Sequence, residues 1–372
     1  MLFMITSLIV AGIAFVPTTH LGCLCHAVLS HPAPTQATPM TEWPKNRAFS
    51  PESGELHLKN LRQLTFGGQN AEAYFNLKGN KLTYQTRQPN YPDEQIYTMN
   101  IDGSNRTRIS TGKGRTTCSY FSPDEKWVYF SSTHFAQPAG QPPIDMSKGY
   151  VWMVNPNFIL YRSRPDGKNL ERVIAKPGYV AETTIAPDSS YMTFTGNWEG
   201  DVEIYRSNLD GSAITKLTDE IGYDGGPFVS WDGKQIVYRR SAPFQSQEEI
   251  TAYQSLLKEN LVRPSNMDVW LMDADGSNKR QVTHLGRASF APFIHPNGKQ
   301  IIFSSNHHDP TGREFDLFLI NTDGTGLKQI TFSPEFDGFP MFSRDGKKLV
   351  WGTNRHGAVR GETNIFIADW VE

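Results

Sequence analysis

The sequence predicts an all-β fold, a six-bladed β-propeller of four-stranded antiparallel blades, on three observations. One turn signature recurs six times, a second recurs five times in step with it, and a segment near the N-terminus matches the strand that the last repeat lacks. The first signature stands at Lys78-Gly79, Asp124-Glu125, Asp188-Ser189, Asp232-Gly233, Asn297-Gly298 and Asp345-Gly346. The second stands at Asp102-Gly103, Asp166-Gly167, Asp210-Gly211, Asp275-Gly276 and Asp323-Gly324. Asp-Gly and Asn-Gly tolerate the positive φ of two-residue hairpins, so both series read as β-hairpin turns.

Strand patterns flank each turn. Adjacent apolar residues such as Tyr74-Phe75, Phe228-Val229 and Met341-Phe342 precede the first turn and suggest a strand buried on both faces. Second strands follow it (Leu82-Thr83-Tyr84, Ile301-Ile302-Phe303), and third strands precede the second turn (Ile96-Tyr97-Thr98-Met99, Leu317-Phe318-Leu319-Ile320). Fourth strands end near Ile109, Val173, Leu217, Val282 and Ile330, three of them continuing into threonine. The last unit stops after Ile365-Phe366-Ile367, and Leu61-Arg62-Gln63-Leu64-Thr65 upstream has the sequence of its missing fourth strand. An N-terminal strand is therefore expected to complete the last blade and remove the open edge.

At this point a family resemblance emerges. Phe342-Ser343-Arg344-Asp345-Gly346-Lys347 and Asn321-Thr322-Asp323-Gly324 resemble the repeats of the TolB-like propeller family, over roughly residues 56–371. The resemblance concerns the propeller part alone, since the α/β domain that precedes it in TolB is not expected here. It implies a rigid ring that presents one face to a protein partner in the cell envelope or outside the cell. The fold by itself hosts unrelated activities.

Domain organisation follows. Residues 1–27 read as a signal peptide, 28–55 as a flexible linker and 56–372 as the propeller. The apolar run over residues 2–16 is shorter than the ~20 residues of a bilayer-spanning helix. Small residues at Cys25 and Ala27 favour cleavage after Ala27, leaving no membrane span and a periplasmic or extracellular protein. Cys23 is a poor lipid acceptor because His20 stands where an apolar residue is wanted, and Cys118 would then remain as a lone thiol. The formal net charge of -2, with no Lys/Arg block interleaved with aromatics, argues against a nucleic-acid partner. A monomer is expected.

In a meander, alternate loops fall on opposite faces of the disk. Both Asp-Gly series share one face, and all long insertions map to the other. The interval between the two turns is extended from Asp124 to Asp166 in blade two and from Asp232 to Asp275 in blade four. Long loops on a rigid scaffold commonly carry function. In blade four, Ser246 and Glu249 fit a capping box, and Ile250, Tyr253, Leu257 and Leu261 form a helical stripe stopped by Pro264. The blade-two insertion, with Pro138, Pro142 and Pro143, reads as irregular.

Candidate ligand-binding residues at the channel mouth on the insertion face are Glu72, Arg115, Glu182, Asp224, Arg287 and Asp337, a set suited to a basic group, a cation or a polar ligand. No cofactor is predicted for this binding module. An alternative is a metal-dependent carbohydrate-active enzyme similar to oligogalacturonate lyases, which are propellers with a metal at a related place. It would hold a divalent metal through His134, His307, His308 and His356, all just after second strands. A serine-peptidase reading is excluded by the absence of a Gly-x-Ser-x-Gly elbow, and the Asp273–Gly276 segment reads as a turn, not a calcium loop.

Overall fold

The structure is a computed structural model and describes residues 44–372; the expected signal peptide and most of the expected linker lie outside the described residues. Each of the first five blades is a four-stranded antiparallel meander. Blade one comprises Gln69–Phe75, Lys81–Arg87, Gln95–Asn100 and Thr107–Arg108, and the pattern repeats to blade six, whose innermost strand is Asp337–Phe342. Each innermost strand packs on the next, and the sixth packs on the first, so the sheets form a ring. The innermost strands are buried almost throughout, as their paired apolar residues require.

The first turn differs from a two-residue hairpin. In every blade it is a four-residue loop: Asn76 N donates to Lys81 O at 3.0 Å, Ser122 N to Trp127 O at 2.9 Å, and so on to Ser343 N and Lys348 O at 2.9 Å. The loop closes on a left-handed residue, Gly79, Glu125, Ser189, Gly233, Gly298 or Gly346, with φ between 58° and 72°. Where an Asp precedes that residue it holds the turn locally; Asp345 Oδ1 accepts from Ser343 Oγ at 2.6 Å and from Lys347 N at 3.1 Å. The second turn is a three-residue loop, with Asn100 N donating to Ser104 O at 2.9 Å. Its glycine is left-handed and also abuts a neighbouring chain segment. A Cβ on Gly103 would fall on the carbonyl oxygen of Lys45, and one on Gly211 on that of Val173. That double demand explains why glycine holds this place all five times, whereas glutamate and serine are tolerated in the first turn.

Ring closure occurs as the sequence predicts. Leu58–Gln63 pairs antiparallel with Asn364–Trp370, matching Arg62 to Ile367 and Gln63 to Phe366. The chain before it does not hang free, which shortens the expected linker. Arg47–Ala48 adds to the outer edge of the same sheet, and Phe49 stacks on His356. Glu55 is buried, its two carboxylate oxygens taking hydrogen bonds from Arg355 at 3.1 and 2.8 Å. The same guanidinium donates to Asp337 at 2.9 Å, and Trp351 Nε1 donates to the other Asp337 oxygen at 2.8 Å.

The two insertions meet. The blade-four helix, Gln247–Lys258, is capped by Ser246, whose side chain accepts from Glu249 N at 3.2 Å, while Glu249 reaches back to Gln245 N at 2.6 Å. Tyr253 is its buried anchor, with Ile250 and Leu257 half-buried. Leu261 lies past the helix in a short strand, Leu261–Val262, which pairs with Trp152–Met153 of blade two. The blade-two insertion therefore holds a strand where the sequence suggests only irregular chain. Lys148 pairs with Glu259, and Arg263 donates to the Lys148 carbonyl at 2.9 Å, fastening the contact.

Breaking the buried triad leaves two carboxylates without their counter-charge. Arg355→Ala is expected to lower unfolding free energy by about 3–5 kcal/mol, read as a shift in the urea midpoint. A change below about 1 kcal/mol would show that the triad does not hold the ring.

Candidate functional site

The axis of the ring carries a feature the sequence reading missed. Each innermost strand has a β-bulge, seen as a register break between Ala71 and Tyr74, Thr117 and Tyr120, Ala181 and Thr184, Gly225 and Phe228, Phe290 and Phe293, and Gly338 and Met341. One residue in each bulge is left-handed: Glu72, Cys118, Glu182, Gly226, Ala291 and Phe339, with φ between 49° and 60°. These six ring a cavity of about 20 Å³, room for one water. A signal for the bulge exists in the sequence, because proline follows the left-handed residue at Pro227, Pro292 and Pro340. Proline inside a central strand points to a bulge.

Chemistry in this cavity is internally matched. Glu182 pairs with Arg239, and its other oxygen accepts from Thr195 Oγ1 at 2.7 Å, Gly226 N at 2.9 Å and Tyr223 OH at 3.2 Å. A Cβ at position 226 would collide with the Arg239 guanidinium, so this bulge takes glycine. Burial, with Glu72 and Glu182 beside it, pushes the Cys118 thiol well up, which keeps it protonated and unreactive. Above the cavity on the insertion face lies an apolar plug of Trp152, Tyr179, Tyr223, Phe290 and Phe336, packed on Phe339 of the cavity wall. Trp152, delivered by the blade-two insertion, meets Tyr223 and Phe290 edge-on and lies 5.0 Å from the Arg239 guanidinium.

The six residues expected at a channel mouth are dispersed. Glu72 and Glu182 line the axial cavity but are buried beneath the plug. Asp224 and Asp337 are fully buried, the first 3.6 Å from Arg240 and the second bonded to Arg355. Burial pushes both carboxyls up, against the pull of those arginines. Arg115 is buried in a 2.7 Å pair with Glu94, and Arg287 lies exposed, donating to the Pro310 carbonyl at 3.5 Å. The displacement has a physical reason: an extra residue in a strand inverts the parity of everything beyond it, so counting back from the turn across a bulge assigns the wrong direction.

The four histidines also part company. His134 Nδ1 lies 2.8 Å from Ser132 Oγ and its ring packs on Tyr161. His356 stacks on Phe49 with ring centres 3.9 Å apart, and His307 packs edge-on against Phe318. Burial lowers the pKa of all three. His308 alone approaches other metal-ligating groups: its Nε2 lies 3.0 Å from Asp316 and 3.9 Å from Glu314.

Asp316 belongs to a latch repeated in five blades. A residue at the start of the third strand accepts from a hydroxyl that follows the fourth strand: Gln95 from Ser110, Glu203 from Thr218, Asp268 from Thr283, Asp316 from Thr331 and Asn364 from Thr65, at 2.6–3.2 Å. Each hydroxyl in turn accepts the next backbone N–H of the third strand. The threonines that follow the fourth strands in the sequence are thus half of this latch. Burial, with Asp337 nearby, pushes Asp316 up to about 8.

No protein-family model matches the chain. An uncharacterized protein of Agrobacterium fabrum is 26% identical over 161 residues, which are 40% of this chain and 48% of that protein, so the match spans about half the length of the curated relative. Among solved structures, one assigned to TolB of Agrobacterium tumefaciens is 18% identical, with a TM-score of 0.51 over 82% of this chain and 86% of that one. TolB of Acinetobacter baumannii is 17% identical, with a TM-score of 0.54 over 75% of this chain and 61% of that one. The fold is that of a TolB-like propeller. An oligogalacturonate lyase in complex with manganese has the same ring, at 13% identity and a TM-score of 0.50 over 89% of this chain and 98% of that one. At these identities the likeness concerns fold alone.

Within this TolB-like propeller the latch carboxylates titrate abnormally. Burial pushes Glu203 up to about 7. The folded chain then keeps a proton that the unfolded chain has lost, so stability falls as pH rises from the carboxylate range to about 7. Glu203→Gln is expected to remove that part of the slope in urea unfolding followed between about pH 5 and pH 8. An unchanged slope would mean that Glu203 is ionised in the fold.

Proposed function

We propose that this chain is an exported TolB-like propeller that docks an envelope or extracellular protein on its insertion face. The observation that carries this reading is the junction of the two insertions into one raised platform, built by the pairing of Trp152–Met153 with Leu261–Val262 over a sealed axis. The face around the platform displays Phe135 at 69% exposure and Val359 at 61%, with Ile221 and Phe332 also exposed. Exposed apolar side chains on one face suit protein docking. A catalytic metal held by all four histidines would need them to converge. Ser132 and Tyr161, Phe318, and Phe49 engage three of them instead, which favours docking over catalysis.

Export rests on the apolar run over residues 2–16 and the small residues before Val28; among the described residues no helix is long and apolar enough to cross a membrane. Two measurements test the reading. N-terminal sequencing of the protein from its native cells is expected to begin at Val28; an intact Met1 would remove the export step. Cross-linking in intact cells is expected to trap a partner whose yield drops about tenfold in Phe135→Asp/Val359→Asp, the loss typical of interface anchors. Identical cross-links in variant and wild type would rule out docking on this face.

A further inference from the structure

We infer that His308, Glu314 and Asp316 form a binding site for one divalent transition-metal ion, of the Zn2+ or Mn2+ type, on the insertion face of blade five. Among the described residues this is the one group of three His, Cys, Asp or Glu side chains whose ligand atoms all lie within 4.8 Å of one another. An ion with ligands at about 2.1 Å in tetrahedral geometry sets neighbouring ligand atoms about 3.4 Å apart. The observed separations from His308 Nε2, 3.0 Å to Asp316 Oδ2 and 3.9 Å to Glu314 Oε1, bracket that value.

The imidazole is not simply bonded to the aspartate. Both ring nitrogens of His308 are screened from solvent, and neither has a hydrogen-bond partner despite the 3.0 Å approach of Asp316. The nitrogen stands within ion-pair distance of the oxygen without a hydrogen bond to it. Two ligands of a common third centre have this relation, because each lone pair aims at the ion and not at the other ligand. The latch does not require it either: Asp268 in blade four has the same threonine and glutamine partners, Thr283 and Gln281, and joins no such trio.

The loop that carries these groups is preorganised. Asp309 accepts from Thr311 N at 2.9 Å, Thr311 Oγ1 at 2.6 Å, Arg313 N at 2.7 Å and Glu314 N at 2.9 Å, and Asn306 Nδ2 donates to the Gly312 carbonyl at 2.8 Å. Glu314 is thereby held opposite His308. Asp316 is fixed from below by Thr331 and Gln329, at 2.8 and 2.9 Å. Such outer contacts orient ligands around a metal. One imidazole and two carboxylates suit Zn2+ or Mn2+ better than soft ions, and the partial exposure of His308 and Glu314 leaves the ion open to water or to a ligand. The site needs neither the docking role nor a reaction.

The test uses the full-length chain, stripped with a chelator and titrated calorimetrically with Zn2+ and, separately, Mn2+. One equivalent of either ion is expected to bind. His308→Ala and Glu314→Gln, each checked for an unchanged circular dichroism spectrum, are expected to weaken that binding more than about a hundredfold and tenfold respectively, in line with the effect of losing even outer-shell partners. Both positions are half-buried in the connection between two strands, outside the ladders of the blade, so folding is expected to survive. No stoichiometric uptake of either ion, or uptake unchanged in His308→Ala, would overturn the site.

Discussion

The guanidinium of Arg355 joins a carboxylate from the N-terminal segment to one from the last blade, and the closed ring depends on that junction. Glu55 and Asp337 both lie out of reach of water, so each needs the arginine to offset the cost of burying charge. Glu55 also accepts N–H groups from Glu52 and from Phe332, tying the N-terminal segment to the connection between blades five and six. An apolar edge alone would leave the register of the closing strand loosely set, since a one-residue slip exchanges its faces. A carboxylate that must meet one guanidinium allows a single register.

Inside that closed frame the repeat is regular because each device has a local cause. The left-handed residue in the first turn and the glycine in the second both follow from turn geometry, and both are written in short sequence signals. For that reason the number of blades, the order of their strands and the closing role of Leu58–Gln63 were legible from the chain. Long-range contacts were not. Nothing local at Asp337 or Glu55 names Arg355, and nothing local at Trp152 says that it will lie over the axis. The threonines after Leu217, Val282 and Ile330 were visible as a pattern, but their carboxylate partners lie about a hairpin away and are a glutamate in one blade and an aspartate in the other two.

The axial region shows how one misplaced residue propagates. A bulge adds a single residue to each innermost strand, and side chains assigned to channel water by simple alternation turn instead toward neighbouring strands. Asp224 and Asp337 are the clearest cases: both are polar residues at the start of innermost strands, and both end in ion contacts away from the cavity. Five of the six bulge residues are not glycine, so the ring holds left-handed backbone that L-residues rarely adopt. It repeats in six blades, around a cavity lined by the Glu182–Arg239 pair and covered by aromatic rings. Variation in loop length is confined to the insertion face, since the first and second turns keep the same closure from blade to blade.

The donated strand has a consequence for how the molecule is made. Glu55 and Arg355 are separated by 300 positions in the chain, and Leu58–Gln63 joins its blade only through Asn364–Trp370, its other neighbour being the two-residue strand Arg47–Ala48. Contacts so distant in sequence are slow to form and are late events in folding. A chain threaded through a translocation pore from its N-terminus would emerge blade by blade, with its first strand unpaired until the last has followed. Throughout that interval an exposed β edge would travel ahead of the protein, open to pairing with a neighbour.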